Sequence, residues 1–217
     1  MTYRLAIFDF DGTLADSFPF FLSVFNEIAD RHGFRRIHPA EVERLRHAGT
    51  RDMMRHVGMP AWKLPLAAAS FKTLMSQNTH RIPLFPQVDH ALRELARGAV
   101  KLTIVSSNSE DNVRRVLGPE LAVLISQYEC GVSIFGKTSR IRKVLQRAAV
   151  APASALYIGD QTLDAQAARK AGVAFAAVHW GYSPIEALRK VEPDHEFDLP
   201  ASLAAIATLQ AKRAARP

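Results

Sequence analysis

The sequence predicts an α/β protein: a doubly wound parallel sheet with an all-helical segment inserted after its first strand. Three observations carry this. From Pro86 onward, short apolar runs alternate with segments of helical periodicity, as in a parallel sheet covered on both faces. Between Phe18 and Arg81 the apolar residues follow helical spacing alone. Acids, hydroxyls and a lysine gather just after apolar runs, where open α/β sheets bind their ligands.

The elements follow in chain order. The first strand is 5–8. Phe21, Val24, Phe25 and Ile28 recur at i, i+3, i+4, i+7 and mark a helix that starts near Asp16 or Ser17 and ends at Gly33. Pro39 suits the first turn of a second short helix holding Val42 and Leu45. Gly49-Thr50 breaks and caps again before Met53, Met54 and Val57. Ala67, Phe71, Leu74 and Met75 form a fourth helical face. Beyond Pro86, Val88, Ala91, Leu92 and Leu95 mark a helix stopped by Gly98, and 100–105 is a buried strand. Ser109 caps a helix with Val113, Val116 and Leu117 that stops at Gly118. Ile141, Val144 and Leu145 lie on the next helix. Residues 155–158 form a strand, 165–171 a helix ended by Gly172, and 174–178 a strand. The basic tail 211–217 reads as a frayed end. The predicted organisation is a core of residues 1–17 and 86–217 with a helical cap of residues 18–85.

Composition bounds the function classes. The 217 residues are 48% hydrophobic, enough for a sizeable core and too many for a disordered chain. No run of about 18 apolar residues occurs, so no membrane span is expected. The N-terminus enters the first strand without a secretory apolar region, and a single cysteine excludes an internal disulfide; both point to the cytoplasm. Cys130 reads as core filler, with no histidine beside it in sequence. The net charge of +7 is concentrated in the cap, where ten Arg and Lys stand against five acids. A solvated helical surface and a steering field for an anionic substrate both fit this pattern. The cap's histidines (His32, His38, His47, His56, His80) are scattered and lack zinc-site spacing.

The strand ends carry the chemistry. Asp9 and Asp11 follow the first strand two residues apart, a spacing that turns both toward one pocket. Gly12 permits a sharp turn, and Thr13 offers a hydroxyl beside the acids. Two carboxylates this close repel unless a cation or a proton intervenes. A hard cation such as Mg2+ suits oxygen ligands and usually accompanies phosphate. After the strand at 100–105 come Ser106, Ser107, Asn108 and Ser109, either an N-cap cluster or an anion site. After the strand at 155–158 come Gly159, Asp160 and Asp164. The two acids share one side of an opening helical turn, and Gly159 would let the backbone approach a ligand closely. Lys137 stands before a helix, either on the surface or as a counter-charge to these acids.

Taken in order, these residues resemble the four-motif set of the haloacid dehalogenase (HAD) superfamily. The string Phe8-Asp9-Phe10-Asp11-Gly12-Thr13-Leu14 resembles its first motif, Ser106 the second, Lys137 the third, and Gly159-Asp160 with Asp164 the fourth. The insertion looks like the family's helical C1 cap. Trp180-Gly181-Tyr182, Pro193-Asp194 and Phe197-Asp198 are similar to the tail of the phosphoglycolate phosphatase-like subgroup. Lys137-Thr138 departs from that subgroup's Lys-Pro and weakens any transfer of substrate identity.

The resemblance implies a Mg2+-dependent phosphatase acting on a small anionic phosphorylated metabolite. Asp9 would be the nucleophile and Asp11 the acid–base. Asp9, the Asp11 main-chain carbonyl and Asp160 would hold the metal. Ser106, Ser107, Asn108 and Lys137 would bind the phosphoryl group, with Thr13 and Asp164 in support. Arg51, at the break within the cap, would contact an anionic part of the substrate; an exposed helix-start arginine beside Asp52 is the competing reading. A monomer or homodimer is expected, with no membrane or nucleic-acid partner. A β-phosphoglucomutase-like phosphotransferase and a non-catalytic anion- or nucleic-acid-binding protein of the same fold stand as alternatives. A dehalogenase is disfavoured, because it needs no metal and typically lacks the acid at the position of Asp11.

Overall fold

The computed structural model describes residues 2–42, 45, 50–131 and 136–211. Its centre is a six-stranded parallel sheet in the order β3-β2-β1-β4-β5-β6. The strands are β1 (Leu5–Phe8), β2 (Lys101–Val105), β3 (Ile125–Glu129), β4 (Ala155–Gly159), β5 (Ala174–Val178) and β6 (His195–Phe197). β1 sits in the middle and is buried at all four residues, which is why it reads as a continuous apolar run. The pleat sends Leu5 and Ile7 to one face, with Tyr157, Ile141 and Ala168. Ala6 and Phe8 go to the other, with Leu92, Leu102 and Ile158.

Eight α-helices connect and cover the described residues of this sheet and the cap: α1 (Phe18–His32), α2 (Thr50–His56), α3 (Leu64–Gln77), α4 (Val88–Arg97), α5 (Glu110–Ala122), α6 (Lys137–Ala148), α7 (Thr162–Ala171) and α8 (Ile185–Arg189). Gly33 ends α1 and Gly172 ends α7 in left-handed conformations, as their positions predicted. Helices α1 to α3 form the segment between β1 and the rest of the sheet. No strand lies among its described residues. The second short helix opens as a 3-10 turn, Pro39–Glu41, and the Gly49 break lies outside the described residues. The tail from 212 does too.

The structure adds to these expectations. β3 and β6 escaped the sequence reading. Ile-Ser-Gln-Tyr-Glu in β3 is half polar because the strand is at a sheet edge, and β6 is only three residues long. The helix capped by Ser109 breaks at Gly118, as its position predicted. Gly118 leaves the helical region (φ 72, ψ 166), and a second short segment that begins after it with Pro119 runs on to Ala122, so α5 spans two helices joined at this break. Ser17 holds the N-cap position of α1, yet its side chain caps nothing there.

The strand order places the site. From β1 the chain winds outward through β2 to β3, then returns to the other side of β1 as β4. The order therefore reverses beside β1, and ligands of such sheets bind at that point, beyond the carboxyl ends. The register aligns Phe8 with both Ile104 and Ile158. Asp9 follows Phe8 by one residue, and Ser106 and Asp160 follow Ile104 and Ile158 by two, so the three emerge within one residue of the same level.

Candidate active site

Beyond Phe8 the chain folds into a tight loop. Phe10 O accepts the N–H groups of Leu14 and Ala15, and the Gly12 N–H returns to Ala15 O at 2.9 Å. Gly12 has φ 81, open mainly to glycine, and a Cβ there would collide with the Asp160 carboxylate. This loop aims two carboxylates differently. Asp9 is buried, with Oδ1 accepting the Phe10 N–H at 2.8 Å. Asp11 is half-buried and turns toward the loop after β2.

Lys137 is the first residue of α6, and burial encloses its whole stem. Its ammonium lies 2.7 Å from Asp9 Oδ2 and 2.7 Å from Asp164 Oδ1. Asp164 also accepts from Tyr157 Oη at 3.2 Å and from the Gln161 N–H at 3.1 Å. Its oxygens are thus committed to anchoring Lys137 and capping α7. Gly159 has a different purpose from the predicted ligand approach: a Cβ there would stand 2.6 Å from Asp164 Oδ2, so glycine makes room for that carboxylate.

Asp160 is fully buried. Oδ2 accepts the Tyr182 N–H at 2.9 Å, and the Thr13 hydroxyl stands 3.4 Å from Oδ1. Ligand oxygens of Asp9, Asp160 and Asp164 lie within 4.8 Å of one another. The burial has an electrostatic consequence. It pushes the Asp9 carboxyl up to about 7, although the Lys137 ammonium pulls the other way. Burial, then the charges of Asp164 and Asp9, hold Asp160 well above the usual carboxylate range. Burial alone would lower Lys137, but Asp164 and Asp9 outweigh it and hold the ammonium well above its ordinary value. Three carboxylates therefore gather about one ammonium. An all-oxygen donor set short of positive charge fits a hard divalent cation, with Asp9 and Asp160 keeping lone pairs for it.

The loop after β2 faces Asp11. Ser106 is buried, and its Oγ accepts the Asn108 N–H at 3.0 Å. That N–H, expected to face a phosphoryl oxygen, is spent locally. The Asn108 carboxamide is oriented by its neighbours. Oδ1 accepts the Ser109 N–H at 2.9 Å and Asn112 Nδ2 at 3.2 Å. Nδ2 must then face Asp11 Oδ2, at 3.1 Å, and the Met75 sulfur of α3, at 3.2 Å. Burial raises the Asp11 carboxyl, and hydrogen bonds from Ser17 and Asn108 offset part of the rise.

Ser107 lies partly exposed in the same loop. Arg51 is exposed in the first turn of α2, and none of the described hydrogen bonds or ion pairs joins it to the acids. Cys130 is partly buried against the core, and burial pushes its thiol up to about 12, far from nucleophilic at neutral pH.

Sequence reasoning assigned no site role to the segment after β5. Trp180 donates its indole N–H to Thr13 O at 2.9 Å. Gly181 sits where a Cβ would collide with Asp160, and Tyr182 binds both Asp160 and Ser17. The strand-end rule that found Asp9, Ser106 and Asp160 applies equally to the residues after 174–178, so the signal was present.

Residues 6–178 match the family model for haloacid dehalogenase-like hydrolases. The chain is 31% identical over 198 residues to the phosphoglycolate phosphatase of Synechococcus elongatus, covering 91% of this chain and 93% of that protein. It is 30% identical over 193 residues to the phosphoglycolate phosphatase of Xanthomonas campestris pv. campestris, covering 82% and 84%. A solved haloacid dehalogenase-like family hydrolase from Streptococcus pneumoniae shares the fold, with a TM-score of 0.79 over 94% of this chain and 97% of its own, at 21% identity. No helix among the described residues is long and apolar enough to cross a membrane.

Proposed function

Because the chain belongs to the haloacid dehalogenase-like hydrolase family, we propose that it is a Mg2+-dependent phosphatase that hydrolyses a small phosphate monoester through an aspartyl-phosphate on Asp9. The observation that carries this reading is the pairing of buried Asp9 with Lys137 at 2.7 Å, beside Asp160 and within the loop that presents Asp11.

Asp9 attacks phosphorus, and the bond to the ester oxygen breaks. Asp11 gives its proton to the departing alkoxide, which leaves as an alcohol. Its burial favours the protonated form needed for that step. Asp11, now a carboxylate, takes a proton from water, whose oxygen attacks the acyl phosphate. Inorganic phosphate leaves, and the Asp9 carboxylate is restored. Lys137 balances charge on the transferring group, and the Ser106 hydroxyl donates to one of its oxygens. A cation held by the Asp9 carboxylate, the Asp11 main-chain carbonyl and Asp160 supplies the neutralisation that lets an anionic ester meet an anionic nucleophile.

The relatives' named activity puts phosphoglycolate first among esters to assay. The cap, with Arg51 as its candidate anion contact, would set the choice among them. Phosphate release is measured with and without Mg2+ for the wild type and Asp9→Asn. Release that needs Mg2+ and disappears in Asp9→Asn is the expected result. Undiminished release in that variant, or in excess chelator, would overturn the reading.

A further inference from the structure

The Asn108 side chain joins Asp11 to the cap. It is buried, and both ends of its amide are in use. Oδ1 accepts the Ser109 N–H at 2.9 Å and Asn112 Nδ2 at 3.2 Å. Nδ2 donates to Asp11 Oδ2 at 3.1 Å and to the Met75 sulfur at 3.2 Å. The opposite orientation would set Oδ1 against the Asp11 carboxylate and Nδ2 against the Ser109 N–H, a main-chain donor that cannot accept.

Both supports of this amide are fixed independently. The Asn108 main chain is held on two sides. Its N–H donates to Ser106 Oγ at 3.0 Å, and its carbonyl accepts the Gly131 N–H at 2.6 Å. Met75 is only 1% exposed, in the last turn of α3. Arg115 of α5 donates to the carbonyl of the next residue, Ser76, at 3.1 Å. The cap helix is thus pinned to the core helix that Asn108 precedes. A buried amide gripped at both ends offers Asp11 a donor from a single direction, and directed hydrogen bonds of this kind favour one rotamer over its alternatives.

We propose, resting on the acid–base role of Asp11 above, that Asn108 is a positioning residue that aims the Asp11 carboxyl at the leaving oxygen, and that Met75 makes the cap part of that positioning. The cap then assists protonation of the leaving group whatever ester it covers, apart from any contact it makes with the substrate.

The test uses the full chain with Mg2+. Phosphoglycolate and glycerol phosphate serve as alkyl esters with and without a second acid, and p-nitrophenyl phosphate as the aryl ester. kcat/KM reports the transfer to Asp9, the step in which the leaving oxygen is protonated. Asn108→Ala removes the donor to Asp11. It should lower kcat/KM about tenfold or more for both alkyl esters, the scale of one hydrogen bond to a charged group. The loss should be smaller for the aryl ester, whose leaving group needs little protonation. Met75→Leu keeps the buried volume and removes only the acceptor, so it serves even where Asn108→Ala fails to fold. It should give the same pattern at about threefold, the scale of a weak hydrogen bond. The double variant should lose no more than Asn108→Ala alone. Equal losses on all the esters, additive losses or no loss would each overturn the proposal. So would a Met75→Leu loss confined to one alkyl ester, which would make Met75 a substrate contact.

A second readout does not depend on turnover. The 15N resonance of the Asn108 amide and the 13C resonance of the Asp11 carboxyl should both move in Met75→Leu. A methionine that only fills space would leave Asp11 unmoved. Moved resonances in a wild type that hydrolyses none of the esters would overturn the phosphatase reading, and the positioning role with it. An active wild type whose Asp11 resonance stays in place in Met75→Leu would overturn the positioning role alone.

Discussion

A Cβ on Gly159 would lie 2.6 Å from Asp164 Oδ2, so the absence of a side chain at the end of β4 is what admits the carboxylate that anchors Lys137. Gly159→Ala tests this directly. The added methyl must displace Asp164, and overpacking of this kind costs about 1–3 kcal/mol. Thermal melting should fall by several degrees, and phosphate release should fall at least about tenfold as Lys137 loses its anchor. Unchanged values for both would show that Asp164 can move without consequence.

Lys137→Met should be the more damaging change. The methionine fills the same stem volume but leaves Asp9 and Asp164 without their shared cation. Breaking a buried ion pair by removing one partner costs about 3–5 kcal/mol. Activity should vanish. Chemical denaturation at neutral pH should show a loss that shrinks in acid, where the carboxylates bind protons instead.

The Asp9 carboxyl, pushed up to about 7 from an ordinary 3.8, sets a pH dependence. The folded state binds this proton more tightly than the unfolded chain does. Its contribution to the stability of cation-free protein is therefore fully present below about pH 4 and is lost as pH rises toward 7. The difference in melting temperature between wild type and Asp9→Asn should turn against the wild type over that interval. Mg2+ should stabilise the wild type most above pH 7, since binding below it must expel protons. A difference that is flat with pH would refute the assignment.

Glu129 ends β3 as a buried carboxylate gripped by three cations on α6. Arg140 and Lys143 lie at 2.8 Å and Arg147 at 2.9 Å. Burial would raise its carboxyl, but Lys143 and Arg140 outweigh it and hold the group below its usual range. Its stabilising contribution is accordingly present above the ordinary glutamate range and is lost as pH falls through the lowered value. The cations are partly exposed, so the expected cost of Glu129→Gln is about 1–2 kcal/mol, below that of a dry pair. Because α6 begins at Lys137, the same variant should also slow phosphate release. Full activity at reduced stability would separate the clamp from the site.

Local signals made much of this protein legible before its structure. β1 is fully buried, and buried parallel strands announce themselves as unbroken apolar runs. Gly33 and Gly172 stand where left-handed helix ends require them. Asp9, Ser106 and Asp160 were legible as a group because strand ends of a doubly wound sheet converge, whatever lies between them in sequence. Edge strands β3 and β6 were not, since a strand covered on fewer sides has no need of an apolar pattern.

What sequence alone could not decide was which partner each polar group takes. The Asn108 side-chain amide had no partner assigned from sequence, and the Ser109 N–H and Asn112 turn it toward Asp11. Gly159 was read as room for a ligand, and it is room for Asp164. Ser17 and Tyr182, 165 residues apart, share a hydrogen bond that no spacing rule could anticipate. Residue type and periodicity fix an element and the face it buries. A hydrogen-bond partner is chosen by distances of a few tenths of an ångström, and those exist only once the sheet, its crossovers and the cap have closed.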